Sequence, residues 1–233
     1  MSSLDRAGRP ADEPPRQRIT IEDLVGLSRI GPVHPSPGGE FAVFTVAEAD
    51  LEKSELRTQL HRAELEGDAE ERALTHALGE IEEPRLSPDG KWVAFLTFRP
   101  QPGEDEEDDH DDDGEPRKQV FLLPVEGGEA RRLTEAADPV LDFVWWPDAQ
   151  GVAYLVEAPR PEGVKAWRRR RSERRDDPEP LHRDLRRVEV WLQPLEGKAE
   201  RLLAGDPGIS EVAVSPEGRR LAYTTNHTGI PSD

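Results

Sequence analysis

Three stretches of this sequence carry residue types at spacings that could do chemistry. Asp109-His110-Asp111-Asp112-Asp113-Gly114 matches the first half of a calcium loop, Asp-x-Asp-x-Asp-Gly, in which alternate carboxylates converge on one cation. The match then fails. The twelfth position, which a bidentate glutamate should fill, is Val120, and strand-forming residues follow instead of a helix. The run from Glu104 to Glu115, ten acidic residues in twelve, therefore reads as a self-repelling acidic loop, and no metal is assigned. The second stretch, Trp167-Arg168-Arg169-Arg170-Arg171-Ser172-Glu173-Arg174-Arg175, holds six arginines and could suggest nucleic acid or a localisation signal. The third, Asn226-His227-Thr228, is formally a glycosylation acceptor.

The rest of the composition weighs against most of these uses. The 233 residues carry a net charge of −18, a field that repels nucleic acid and anionic membrane, so neither is expected as a partner. Cysteine is absent, which removes disulfides, thiolate catalysis and thiolate zinc sites together and permits a reducing compartment. Residues 1–18 are rich in Pro, Arg, Asp and Glu and hold no apolar stretch of a secretory signal, so the glycosylation triplet is set aside and the expected location is cytoplasmic. The longest apolar runs, such as Phe41–Ala47, are far shorter than a membrane span.

The elements that must position everything else follow from an internal repeat. Ser36-Pro37-Gly38-Gly39, Ser87-Pro88-Asp89-Gly90, Trp146-Pro147-Asp148-Ala149-Gln150-Gly151 and Ser215-Pro216-Glu217-Gly218 are four copies of one turn. In each, proline presets φ early in the turn and glycine accepts the positive φ that closes a hairpin. Strand-forming triplets follow: Ala42-Val43-Phe44, Val93-Ala94-Phe95, Val152-Ala153-Tyr154 and Leu221-Ala222-Tyr223. A second hairpin recurs at Leu65-Glu66-Gly67, Val125-Glu126-Gly127 and Leu195-Glu196-Gly197, each followed by a leucine, Leu74, Leu133 and Leu202. Apolar runs such as Val120–Leu123 and Val188–Leu192 precede it as third strands.

Spacing fixes the order. The intervals Gly67 to Pro88, Gly127 to Pro147 and Gly197 to Pro216 are 21, 20 and 19 residues. The intervals Pro37 to Gly67, Pro88 to Gly127 and Pro147 to Gly197 are 30, 39 and 50 residues, so insertions sit between strands two and three. Four short antiparallel strands per unit, repeated at roughly 50 residues, predict an all-β fold, a partial β-propeller of about three and a half blades, with a sandwich as the rival. Thr20 to Ser28 is expected to form a short N-terminal helix, Thr20 as its cap and Asp23 completing a loose capping box.

The units so read are a disordered segment at 1–18, a short helix at 19–29, blade one at 30–75 and blade two at 84–134 with its acidic insertion at 101–117. Blade three follows at 140–203 with its Arg-rich insertion at 158–187, then the first half of blade four at 209–233. Both insertions leave the same face of adjacent blades; the arginine run reads first as a solvated loop, with pairing to the acidic loop or docking of a further domain as the alternative.

The turn followed by Lys91-Trp92-Val93-Ala94-Phe95, together with Glu126-Gly127-Gly128-Glu129-Ala130-Arg131-Arg132-Leu133-Thr134, resembles the propeller repeats of prolyl oligopeptidase family serine peptidases, of the acylaminoacyl peptidase and dipeptidyl aminopeptidase type. The resemblance covers about residues 19–230 and includes the opening Ile19-Thr20-Ile21-Glu22-Asp23-Leu24 and the run Leu221–Gly229. TolB-like propellers share the repeats. The resemblance implies that an α/β-hydrolase domain with a Ser-Asp-His triad follows, its serine on a Gly-x-Ser-x-Gly elbow. No such elbow occurs here: Gly208-Ile209-Ser210-Glu211-Val212 lacks the closing glycine and falls where a propeller connection is expected.

The expectations are therefore no catalytic residue, no cofactor site and no metal site in this chain. It reads as a fragment, the substrate-gating propeller of a peptidase whose catalytic domain is its missing partner and whose parent acts on peptides. Its open edges would allow self-association. The alternative is a non-enzymatic, TolB-like propeller that binds a protein.

Overall fold

The computed structural model describes residues 19–20, 23, 25–50, 55–67, 71–76, 80–99, 117–158 and 187–225. The acidic run with its calcium-loop half-match, nearly all of the Arg-rich insertion and the Asn226 triplet lie outside them.

Among the described residues, fourteen strands form four sheets, ordered β1-β2-β3-β4, β5-β6-β7-β8, β9-β10-β11-β12 and β13-β14. The first sheet is β1 (Arg29–Pro35), β2 (Phe41–Asp50), β3 (Glu55–Glu64) and β4 (Glu71–Ala73). The second is β5 (Glu82–Leu86), β6 (Trp92–Thr97), β7 (Gln119–Pro124) and β8 (Arg131–Arg132). The third is β9 (Val140–Trp145), β10 (Gly151–Glu157), β11 (Arg187–Pro194) and β12 (Glu200–Pro207), and the last pair is β13 (Ile209–Val214) and β14 (Leu221–Thr225). Every pairing is antiparallel between chain neighbours. The first strands β1, β5, β9 and β13 pack in series, so they form the inner edge. The chain is a partial β-propeller.

The Ser-Pro turns explain the hairpins atom by atom. Ser87 Oγ accepts the backbone N–H groups of Lys91 and Trp92 at 3.1 and 3.0 Å, and Ser36 Oγ does the same for Glu40 and Phe41 at 2.9 and 3.2 Å. The carbonyls of Ser36, Ser87, Trp146 and Ser215 accept from the residue three positions on, at 2.8–2.9 Å. That residue is Gly39, Gly90 or Gly218 at φ +77°, +70° and +68°, but in the third unit it is Ala149 at φ +58°. Glycine was expected to take the positive φ in every unit, but in the third Ala149 takes it and Gly151 opens β10. A Cβ there would stand 2.6 Å from the Gln193 carbonyl oxygen and 3.0 Å from Pro194 Cα, both backbone atoms of β11.

Side chains alternate across the sheets, and in the second and third sheets both faces are apolar and buried. On β6, Val93 and Phe95 enter the core shared with the first sheet, while Ala94 and Leu96 enter the core shared with the third. On β10, Val152, Tyr154 and Val156 face the second sheet, and Ala153 and Leu155 face the fourth. Phe95, Leu122, Phe143 and Val152 are completely buried.

Arginines fasten one blade to the next. Arg62, on β3, lies 4.0 Å over the Phe41 ring and donates through Nη1 to the Val125 carbonyl and Glu126 of the second unit, at 3.2 and 2.7 Å. Arg131 repeats the device one blade on, over Trp92 at 5.7 Å and donating to the Leu195 carbonyl at 3.4 Å. At the opposite end of the strands, Thr75 Oγ1 accepts from Leu60 N and Thr134 Oγ1 from Val120 N, each at 2.9 Å. Leu74 and Leu133, opposite Leu60 and Val120, are buried; in the third sheet the residue opposite Val190 is Leu203, which packs against the core, while Leu202, the leucine expected there, is 38% exposed.

Before the first strand, Thr20 N donates to Asp23 at 2.9 Å and Asp23 N to Thr20 Oγ1 at 3.1 Å, the reciprocal capping pair, with Asp23 and Val25 in helical conformation. Those bonds hold the Asp23 carboxyl below its ordinary range.

Two substitutions test this account in urea unfolding. Gly151→Ala must push β11 away from β10 and is expected to cost about 1–3 kcal/mol. Arg62→Ala removes a buried stem and its bond to Val125, with an expected loss of about 2–3 kcal/mol. Glu126→Gln, at an exposed partner, should lower the midpoint far less; equal losses for Arg62→Ala and Glu126→Gln would show that the stacking and carbonyl bond contribute nothing.

Candidate functional site

The inner edge is where backbone irregularity and charge coincide. All four first strands break register at the same place: β1 between Ile30 and Val33, β5 between Glu82 and Arg85, β9 opposite Leu155 and Val156, and β13 between Ile209 and Glu211. A bulge re-aims the side chains beside it, and bulges gather at rims and binding sites. In β5 the bulge holds Glu83 at φ +48°, a conformation that costs a non-glycine residue of order 1–3 kcal/mol. Pro32 and Pro84 lie within these bulges, where no ladder hydrogen bond is required of them.

The bulges bring Glu83, Arg85 and Asp142 together. Arg85 Nη2 is 2.9 Å from Glu83 Oε2 and 2.8 Å from Asp142 Oδ1, so one guanidinium nitrogen joins two carboxylates from adjacent blades. Its Cζ lies 5.0 Å over the Phe143 ring. The backbone is fixed by Trp145 Nε1, which donates to the Arg85 carbonyl at 2.9 Å, and Phe143 N donates to Asp142 Oδ1 at 2.7 Å. Beside this group Lys118 pairs with Glu82. His34 on β1 lies close enough to Arg85 and Glu83 to feel both charges; burial first, and Arg85 second, hold its imidazole below the ordinary range, with Glu83 opposing them.

Among the described residues no serine hydroxyl is hydrogen-bonded to a histidine. Ser210, expected in a connection, is instead the bulged residue of β13, exposed, with its Oγ 2.8 Å from Thr224 Oγ1. His61 Nδ1 lies 2.8 Å from Glu71, and its ring stacks on Phe44 with centroids 5.9 Å apart. Among the described residues no three His, Asp or Glu side chains are grouped to hold a metal ion, and no helix is long and apolar enough to cross a membrane. The inner-edge cluster was missed by sequence reading; Gly31-Pro32 and Glu83-Pro84, prolines set within strand-forming runs, were the available signal.

The His34 shift sets a pH dependence. The unfolded chain takes up this proton near 6.5 and the folded chain only at lower pH, so the unfolded state binds more protons between the two values. Folding stability should therefore fall as pH drops through about 6.5 and below. His34→Gln should flatten that part of a melting-temperature profile, and an unchanged slope would show that His34 does not contribute.

No family model matches the chain. It is 24% identical over 227 aligned residues to the uncharacterized peptidase YuxL of Bacillus subtilis, covering 91% of this chain and 32% of that relative. It is 26% identical over 147 residues to dipeptidyl-peptidase 5 of Porphyromonas endodontalis, covering 63% of this chain and 19% of that relative. The chain thus spans about a third or less of the length of the curated relatives it matches. Among solved structures it superposes on the AtxE2 isopeptidase with a TM-score of 0.58 at 19% identity, covering 80% of this chain and 32% of that one. The Pyrococcus horikoshii acylaminoacyl peptidase gives 0.56 at 16%, with 82% and 27% covered, and TolB of Acinetobacter baumannii 0.53 at 19%, with 84% and 37% covered.

Proposed function

We propose that this chain is the propeller part of a serine peptidase of the cytoplasm that acts on peptides, and that it limits access to a catalytic domain it does not itself contain. The observation that carries the reading is the pairing of a peptidase-related sequence with stacked four-stranded sheets, the second and third buried on both faces, and a charged cluster at the inner edge. Such a rigid stack is suited to exclusion: blades held together by apolar cores and arginine clamps admit an extended peptide more readily than a folded protein. The cysteine-free composition suits a reducing compartment. The relatives are named as peptidases, and catalysis would come from a hydrolase domain with its serine on a strand-to-helix elbow.

The test is to read the coding frame beyond the codon for Asp233 and assay both products. The reading expects a Gly-x-Ser-x-Gly elbow downstream, no hydrolysis by the 233-residue chain, and cleavage of short peptides but not of a folded protein by the longer product. A stop codon at that point, with the chain capturing a defined protein through its inner edge, would overturn it in favour of a binding propeller of the TolB kind.

A further inference from the structure

We draw no further inference here: the strongest candidate, the outer edge of β14 in the two-stranded fourth sheet, where Ala222, Tyr223 and Thr224 are exposed and no further strand pairs among the described residues, carries nothing because nothing in the structure shows what covers it.

Discussion

Everything in this structure depends on its second and third sheets being buried on both faces. A sheet with one wet face can stand against a single partner, but β6 and β7 carry Val93, Phe95, Phe121 and Leu123 on one side and Ala94, Leu96, Val120 and Leu122 on the other. Neither side tolerates water: each large apolar side chain moved out of it is worth about 1.5–3 kcal/mol. A unit of this kind must therefore lie between two others, and stacking in series follows from the alternation alone. The second strands of the second and third units place an aromatic, Phe95 or Tyr154, against the preceding sheet and an alanine, Ala94 or Ala153, against the next. Large meets small across successive interfaces, which lets the sheets approach without voids.

Close approach has a consequence for polar groups. With both faces apolar and the middle strands sealed, charge is admitted only at strand ends and at the inner and outer edges. The structure uses these places for different ends. At the hairpin between strands three and four, Arg62 and Arg131 spread their stems over Phe41 and Trp92 and reach the next blade's turn, so that a long side chain serves both packing and hydrogen bonding. At the opposite end Thr75 and Thr134 accept N–H groups of β3 and β7. At the inner edge, Glu83, Arg85 and Asp142 are close, partly open to water and together carry one carboxylate more than cations.

The sequence made the repeat legible because its turns are local. Proline, a serine hydroxyl and a glycine at fixed offsets bend the chain whatever surrounds them, so the turns, the strand count per unit and the position of the insertions all follow from a few residues each. Where the local rule lapsed, the reason is tertiary. Gly151 looks like the turn glycine of the third unit, yet Ala149 takes the positive φ, because Gly151 is needed where β11 passes too close for a Cβ. The recurring leucine was placed correctly at Leu74 and Leu133 but one residue early in the third unit, where a register shift beside Val190 puts Leu203 and not Leu202 against the core. The Arg85 cluster was invisible for the same reason: Glu83 and Asp142 are 59 positions apart in sequence, and only the packing of β5 beside β9 makes them neighbours.

That separation also bears on how such a fold acquires function. The doubly buried strands are constrained by two interfaces at once, so a change in β6 or β10 must satisfy both. A bulge at the inner edge is constrained by neither core. Its extra residue leaves the ladder and can be Pro84, Leu141 or Ser210 without disturbing the apolar faces. The same bulge position recurs in all four units while its residues differ in each, which is what a scaffold with a variable rim requires. Strain at Glu83 is tolerable there because the cores on either side of β5 over-determine the backbone, and it places a carboxylate where an unstrained strand would turn it into the interface.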